Sequence, residues 1–544
     1  MEEYVSIHGE KEARNFLKEG IKLASDTVAP TLGVRGRKIL IQKEYTNPEF
    51  SDDGVTILKA LIHKIMGIQA GIDVVKNASK ETNDAVGDGT TTTALLLGAL
   101  IDQIIVENSE DEEYDIDKKG GNVLKLKKEI QEGLKKVLEF IETNKVEITT
   151  EEQVYQIAKV SSNSDDVGKI LSEIVKKLGK DASISTVNTS NPESSYEITE
   201  GMEFNKGFVS AMFVNDGEGE KAVIKEPYVL VTDHKLRNPD DWKVLMALLQ
   251  GDGAEIEGIN DLVVIADDIA DAPLRGLGLN AMSRSRRTLA VRAPGFGNSK
   301  EYLRDIATLT GAYFIEADTM KFNEATSKLL GRAESITSTK DTTTIVGGKG
   351  AKENIEARIT QLKNKMEKEK SEYEKEKIRE RISKLSGGVG VVKVGGATEL
   401  EVEEKKAKID DAIHAVKSAL KEGVVAGGGL ALFRASLTLG DTEGEKILRR
   451  AIQKPFEQII LNADLNAKGV SVQIYENQNV NYGYNVETEQ FGDMFEMGII
   501  DPAKVVKTAL QNAVSIALLV MTTAGSVILV REEQKKDKAP MPQM

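Results

Sequence analysis

The chain has 544 residues, 40% of them hydrophobic, with 72 basic and 87 acidic side chains and a net charge of −15. That length exceeds what one core holds and calls for about two to four domains, while the acidic balance disfavours sequence-independent binding of nucleic acid. Cysteine is absent, which excludes disulfides and thiolate metal sites and is compatible with a reducing compartment.

The opening MEEYVSIHGE is acidic and has no apolar stretch, so no secretory signal is expected. EARNFLKEGIKLASDTV places apolar residues at helical spacing and is broken by the glycine-bearing turn PTLGVRG (30–36). RKILIQ and GVTILKAL flank the turn-rich YTNPEFSDDG, a pattern that predicts a strand, a loop and a second strand leading into a helix. The next punctuation is GDGTTTT (87–93), between NASKETNDAV and ALLLGALIDQII. Two glycines around one carboxylate, followed by hydroxyls at a helix start, suit a phosphate with its metal ion. Taken alone, the same residues read as a turn followed by helix-capping threonines. The GxxxxGK[ST] pattern is absent, and GFGNSK (295–300) lacks the last glycine of GxGxxG, so neither common phosphate loop is present. The four histidines, His8, His63, His234 and His414, are far apart and none lies in HExxH, so no catalytic zinc is expected.

IVENSEDEEYDIDKKGGN is expected to be an exposed acidic loop. From about residue 200, short β-branched runs (PYVLVTDHK, DLVVIADDI, RTLAVRAP, GAYFIEA) alternate with helical stretches, which predicts an α/β unit with a largely parallel sheet. Residues 351–385 alternate charges at helical spacing with an apolar stripe of Ile355, Ile359, Leu362, Ile378, Ile382 and Leu385. They predict a solvated helical hairpin packed on its own domain, with an intermolecular coiled coil as the alternative. SGGVGVVKVGGATE marks a hinge or boundary, and KIDDAIHA (408–415) places Asp410 and Asp411 at the start of a helix. VVAGGG (424–429) lets backbone approach a ligand or another helix closely. SIALLVMTTAGSVILV is too short and too interrupted to span a membrane and reads as a buried helix followed by a short strand. The tail REEQKKDKAPMPQM is expected to be disordered.

Together these fragments resemble one family along nearly the whole chain, the group I chaperonins of the bacterial and organellar Hsp60 type. The resemblance is carried by VAPTLGVRGRKILI, DDGVTI, GDGTTTTALLL, NSDDVGKI, EGMEFNKGF, RAPGFG, DIATLTG, KDTTTIV, KLSGGVGVVKVGGATE, DDAIHAVKSALKEGVVAGGG, GYNVETE and GIIDPAKVVKTALQNA, in family order. It implies a multidomain α and α/β fold: a helical equatorial ATP-binding domain (1–143 and 422–544), an intermediate hinge domain (144–199 and 389–421) and an inserted α/β apical domain (200–388), with Gly201 and Gly388 as the upper hinge.

The resemblance also implies ATP, Mg²⁺ and K⁺ as cofactors. It carries phosphate binding to Thr31, Leu32, Gly33 and the loop of Gly87, Asp88, Gly89, Thr90, Thr91 and Thr92, with Asp88 as metal ligand. Gly428, Asn485, Val486, Ile499 and Asp501 would complete the nucleoside pocket, and Asp53 and Asp411 would position the attacking water. Phe208, Met212, Phe213, Leu245, Met246, Leu274, Leu277 and Leu279 would offer apolar contacts to non-native polypeptides. The implied protein is a cytoplasmic homo-oligomer of one or two heptameric rings, with room for a co-chaperonin lid and without nucleic-acid or membrane partners. The sequence departs from the family at Val34, at Asp52 (usually Lys), at Glu147 (often Pro), at Gly278, in the longer 107–121 loop and in lacking a Gly-Gly-Met tail. These departures suggest a divergent copy from an organelle, an unusual bacterium or a large phage. They also motivate an alternative, a non-cycling holdase or scaffold with a degenerate ATPase.

Overall fold

A computed structural model describes residues 3–42, 48–105, 123–180, 182–189, 191–216, 221–251, 258–283, 286–295 and 299–531. The acidic loop from 106 to 122 and the tail beyond 531 lie outside them. The chain divides into two compact units, Met1–Ser172 with Glu403–Met544, and Glu173–Val402. The segments 144–199 and 389–421 are therefore shared between the units.

In chain order, β1 (Glu3–Gly9) and α1 (Glu10–Val28) precede β2 (Ile39–Ile41), β3 (Glu49–Ser51), α2 (Gly54–Ala60), α3 (Met66–Val86), α4 (Thr90–Ile104), α5 (Val123–Asn144), α6 (Glu151–Ser162) and α7 (Asp165–Leu178). The middle comprises β4 (Ser183–Asn188), β5 (Ser195–Thr199), β6 (Gly201–Phe204), β7 (Ala222–Lys225), β8 (Tyr228–Leu236), α8 (Pro239–Gln250), β9 (Asp261–Ile269), α9 (Asp271–Met282) and β10 (Arg287–Arg292). It continues through α10 (Ser299–Thr310), β11 (Phe314–Ile315), β12 (Gly331–Arg332), β13 (Ser335–Ser338), β14 (Thr343–Val346), α11 (Lys352–Lys368), α12 (Glu372–Gly387) and β15 (Val389–Val394). The return runs through α13 (Glu399–Glu422), β16 (Val424–Ala426), α14 (Leu430–Ser436), α15 (Glu443–Asn462), α16 (Ala467–Glu476), β17 (Tyr482–Asn485), β18 (Gln490–Asp493), β19 (Ile500–Pro502), α17 (Ala503–Met521) and β20 (Gly525–Arg531).

The helical unit is built on α4 and α17, which are apolar on nearly every side and so belong inside a bundle. Leu96, Leu97, Leu100 and Ile101 of α4 share one core with Leu510, Ala513, Val514 and Met521 of α17 and with Ile21 of α1. α17 has the length and apolarity of a membrane span, but most of that stretch is buried within this core. Glycine sets the closest approach: a Cβ on Gly20 of α1 would lie 2.8 Å from the Cα of Gly71 on α3. The ends of the chain meet as an antiparallel pair, β1 with β20, from Glu3↔Arg531 to Gly9↔Gly525.

Two local expectations change. GVTILKA is helical throughout, as α2, with no strand at its head, because Asp53 caps it by accepting from the amides of Val55 (3.2 Å) and Thr56 (2.7 Å). Asp410 and Asp411 sit in the middle of α13, which begins at Glu399, so a favourable helix-dipole interaction does not account for them.

In the second unit the continuous apolar runs form a parallel sheet, β10-β9-β8-β11, with β12 antiparallel beside β8, as buried strands of this kind do. An antiparallel sheet, β6-β14-β13-β7, stands next to it in sequence, and the glycine-rich 389–394 stretch is β15, the centre of a three-stranded sheet. α11 and α12 form the expected hairpin on their own unit, burying Ile355, Leu362, Ile378 and Leu385. Asp305 of α10 is fully buried and receives Arg358 at 2.8 Å and Arg381 at 2.6 Å, which fixes the hairpin, since a buried carboxylate must be paired.

At the start of α15, Thr442 and Glu445 make a capping box, and Lys136 of α5 reaches Glu445 at 2.7 Å. Lys136, and less strongly the Thr442 hydroxyl and the Gly440 backbone, hold this nearly buried carboxyl at about 2, despite the burial. A depressed folded-state pKa gives stability that is full above the unfolded value of about 4.3 and is lost as pH falls toward 2. The Glu445→Gln variant is expected to match the parent's denaturation midpoint at pH 2 and to fall below it above about pH 5; an equal gap at both pH values would contradict the linkage.

Candidate functional site

α3 ends at Gly87 and α4 starts after Gly89, and both glycines are left-handed, with φ of 68° and 80°. This turn leaves the first amides of α4 without helical partners and sets Asp88 beside them. Burial raises the pKa of Asp88; the Gly89 amide opposes the shift, and the charge of Asp53 adds to it. Burial also lifts Asp501, to about 6, with the Asp88 charge second and the amides of Gly429 and Gly428 in opposition. Asp88 is thus within electrostatic reach of both Asp53 and Asp501, which come from distant stretches of the chain.

The neighbouring backbone is equally close. A Cβ on Gly54 would meet the Thr91 hydroxyl at 2.6 Å and that of Thr90 at 2.9 Å, and one on Gly427 would meet an Asp501 carboxylate oxygen at 2.9 Å. Gly428, with φ of 62°, has the Met494 methyl and Ile499 within 4 Å of its missing Cβ. Val486 is buried in the cluster that holds Met494 and packs on Ile499. Asn485 spends its side-chain oxygen locally, accepting from the amides of Glu487 and Thr488. The turn at Thr31, Leu32 and Gly33 packs on α4. There the Thr31 hydroxyl donates to Val28, and Asn462 Nδ2 donates to the carbonyls of Ala29 and Leu32.

Asp411 enters by way of α13. Lys408 pairs with Asp52 at 3.1 Å, and the His414 ring lies against Gly87, where a Cβ would approach its Cγ to 2.2 Å. Residues 408, 411 and 414 fall within an arc of about 120° of the helix, so Asp411 shares the face anchored beside Asp53 at one end and beside Asp88 at the other.

The described residues contain no cluster of three or more His, Cys, Asp or Glu side chains able to hold a metal. Crowded Asp88 and Asp501 nevertheless favour a cation, and a hard ion completed by phosphate oxygens and water needs only one or two carboxylates.

The profile of the TCP-1/cpn60 chaperonin family matches residues 24–528. The chain belongs to this family. Similar solved structures include the chaperonin gp146 from the bacteriophage EL 2 (Pseudomonas aeruginosa), in two crystal forms obtained in the presence of ATP-BeFx. Both are 20% identical and cover 97% of this chain and 99% of theirs, with TM-scores of 0.68 and 0.61. At that identity the likeness shows the chaperonin fold.

In the α/β unit of this chaperonin the eight apolar candidates separate. Phe213 (2% exposed), Leu245 and Leu277 (both 0%) are core residues, which corrects their assignment to the surface: each points into the cluster containing Leu248, Leu249 and the sheet strands. Phe208, Met212, Met246 and Leu274 are half-buried, and Leu279 is 58% exposed. Met282, one turn beyond and 62% exposed, extends this surface and escaped the sequence reading. Gly278 lets the helix sit on Met212, whose methyl is 2.7 Å from the position of a Cβ.

Sequence reasoning also missed Arg434. This buried guanidinium of α14 donates to the carbonyls of Asn477 (2.9 Å), Asn479 (2.8 Å) and Tyr482 (3.0 Å), pinning the approach to β17, which leads to Asn485 and Val486. No local pattern marks it, because its partners lie more than 40 residues away. Arg434→Met strands those carbonyls, at a cost of about 1–3 kcal/mol; hydrogen exchange is expected to speed up in residues 477–485 and to stay unchanged in α1. Unaltered exchange in 477–485 would refute this role.

Proposed function

We propose that this chaperonin is an ATP-driven folding chamber, with nucleotide turnover at the Asp53–Asp88–Asp501 site. The observation that carries the reading is the seating of α13, which sets Asp411 between contacts to Asp52 and Gly87. The first-turn amides of α4, at Thr90–Thr92 of the Gly87–Thr92 loop, and the Thr31–Gly33 turn bind phosphate oxygens. Gly428, Val486 and Ile499 form an apolar wall for the nucleoside, with Asn485 and Asp501 at its edge. Asp88 would hold Mg²⁺, which supplies charge neutralisation at the phosphates, and K⁺ is the expected monovalent partner.

Asp53 and Asp411 position and polarise the attacking water. Phosphoryl transfer depends on alignment and charge more than on covalent chemistry, so two oriented carboxylates are a sufficient protein contribution. Division into equatorial (1–143 and 422–544), intermediate (144–199 and 389–421) and apical (200–388) domains, with hinges at Gly201 and Gly388, would let hydrolysis reset the apical surface. Leu279, Leu274, Met246, Met212 and Phe208 make up that surface, an adaptable patch for non-native polypeptides that share only exposed apolar groups. The working form is a cytoplasmic homo-oligomer of one or two heptameric rings, open to a co-chaperonin lid.

Asp411→Ala is expected to retain ATP binding and to hydrolyse at least about 100-fold more slowly, the loss typical of a group acting on the transition state. Calorimetric titration together with a phosphate-release assay decides it. Unchanged turnover would refute the assignment, and binding without turnover in the parent protein would favour a holdase instead.

A further inference from the structure

Asp52 has a place in the structure that the nucleotide site does not use. Its carboxylate meets Lys408 Nζ at 3.1 Å, while Lys408 also meets Glu404 at 3.2 Å, one turn back on α13. Glu404 in turn pairs with Lys38, just before β2. The four charges alternate in sign along a chain, Lys38, Glu404, Lys408, Asp52, that ties both arms of the β2–β3 hairpin to α13. All four side chains are partly shielded from solvent, and against the burial that would lower it, Asp52 and Glu404 hold the Lys408 pKa above its ordinary value. An isolated exposed pair contributes little, whereas linked pairs that share ordered side chains contribute more.

We propose that Asp52 and Lys408 are positioning residues whose ion pair holds the Asp411-bearing face of α13 against the site. The inference rests on the ATPase reading above and adds to it a latch made only of protein groups. Lys408 is one turn before Asp411, and Asp52 is the residue preceding Asp53, so one contact sets the spacing of the two carboxylates assigned to the attacking water. The ion-pair partners of these two side chains are each other and Glu404, none of them in the phosphate loop or the nucleoside wall. Its loss should therefore act on turnover and leave affinity alone. The latch also gives Asp52 a role: a lysine there would face Lys408 with like charge.

The test uses the full-length protein. Asp52→Lys is expected to lower kcat about tenfold while KM for ATP changes less than about twofold, and the exchange Asp52→Lys with Lys408→Asp is expected to recover kcat to within about threefold of the parent, as coupled charges do in a double-mutant cycle. Because the chain has no cysteine, Asp52→Cys with Lys408→Cys places the only two thiols at the latch. With ATP present, a short bis-maleimide is expected to join them within one chain, read from gel mobility and peptide mass. Failure to cross-link both with and without ATP would overturn the latch, as would an exchange variant no faster than Asp52→Lys alone. A parent protein that binds but never hydrolyses ATP would sink the ATPase reading instead, and the cross-link would then decide the latch by itself.

Discussion

The structure of the helical unit turns on the Gly87–Asp88–Gly89 turn. Two left-handed glycines, one on each side of Asp88, end one long helix and begin the next with no Cβ in the way, a conformation that glycine adopts without strain. The space a side chain would fill is taken by His414 of α13 at Gly87 and by Val505 of α17 at Gly89. The same turn lies beside the capped start of α2. Five helices thus converge on three residues, and the one carboxylate among them is raised in pKa by the burial that convergence causes.

This convergence requires the ends of the chain to meet. β1 pairs with β20, Asn462 holds the carbonyls of Ala29 and Leu32, Arg35 reaches Glu489 at 3.1 Å, and the charge of Asp88 acts on Asp501. Each contact spans more than 400 residues of sequence. A unit of some 230 residues leaves and re-enters the helical unit within α7 and α13, so the segment that carries Asp411 is also one of the two connections between units.

The α/β unit solves a different problem. Its sheet is covered by helices that must bury one face and leave another open, and the choice between faces is made by a rotation of a few tens of degrees. On α8, Leu245, Leu248 and Leu249 point inward while Met246 lies half-exposed; on α9, Leu277 points inward while Leu279 and Met282 point out. Leucine and methionine satisfy either environment, so composition leaves the phase of such a helix open. A buried ionic cluster around Asp305 fixes the charged hairpin on the same unit, where a coiled coil with another chain was the alternative reading of its pattern.

The sequence by itself determined the elements whose information is local: the helical period of α1, α11 and α12, the apolar strands of the parallel sheet, the turn at GDG and the family motifs that pointed to ATP chemistry. It misplaced the start of α13, missed β15 inside a glycine-rich run, and read a strand at the head of the GVTILKAL helix because β-branched residues outweighed the cap supplied by Asp53. Only the tertiary structure decided that Asp52 meets Lys408, that Arg434 pins the approach to β17, that Asp501 sits near Asp88 and that Phe213, Leu245 and Leu277 are core. The reason is physical: turns, caps and periods are set by neighbours within a few residues, whereas charge pairing and burial depend on which surfaces the folded chain brings together across hundreds of residues.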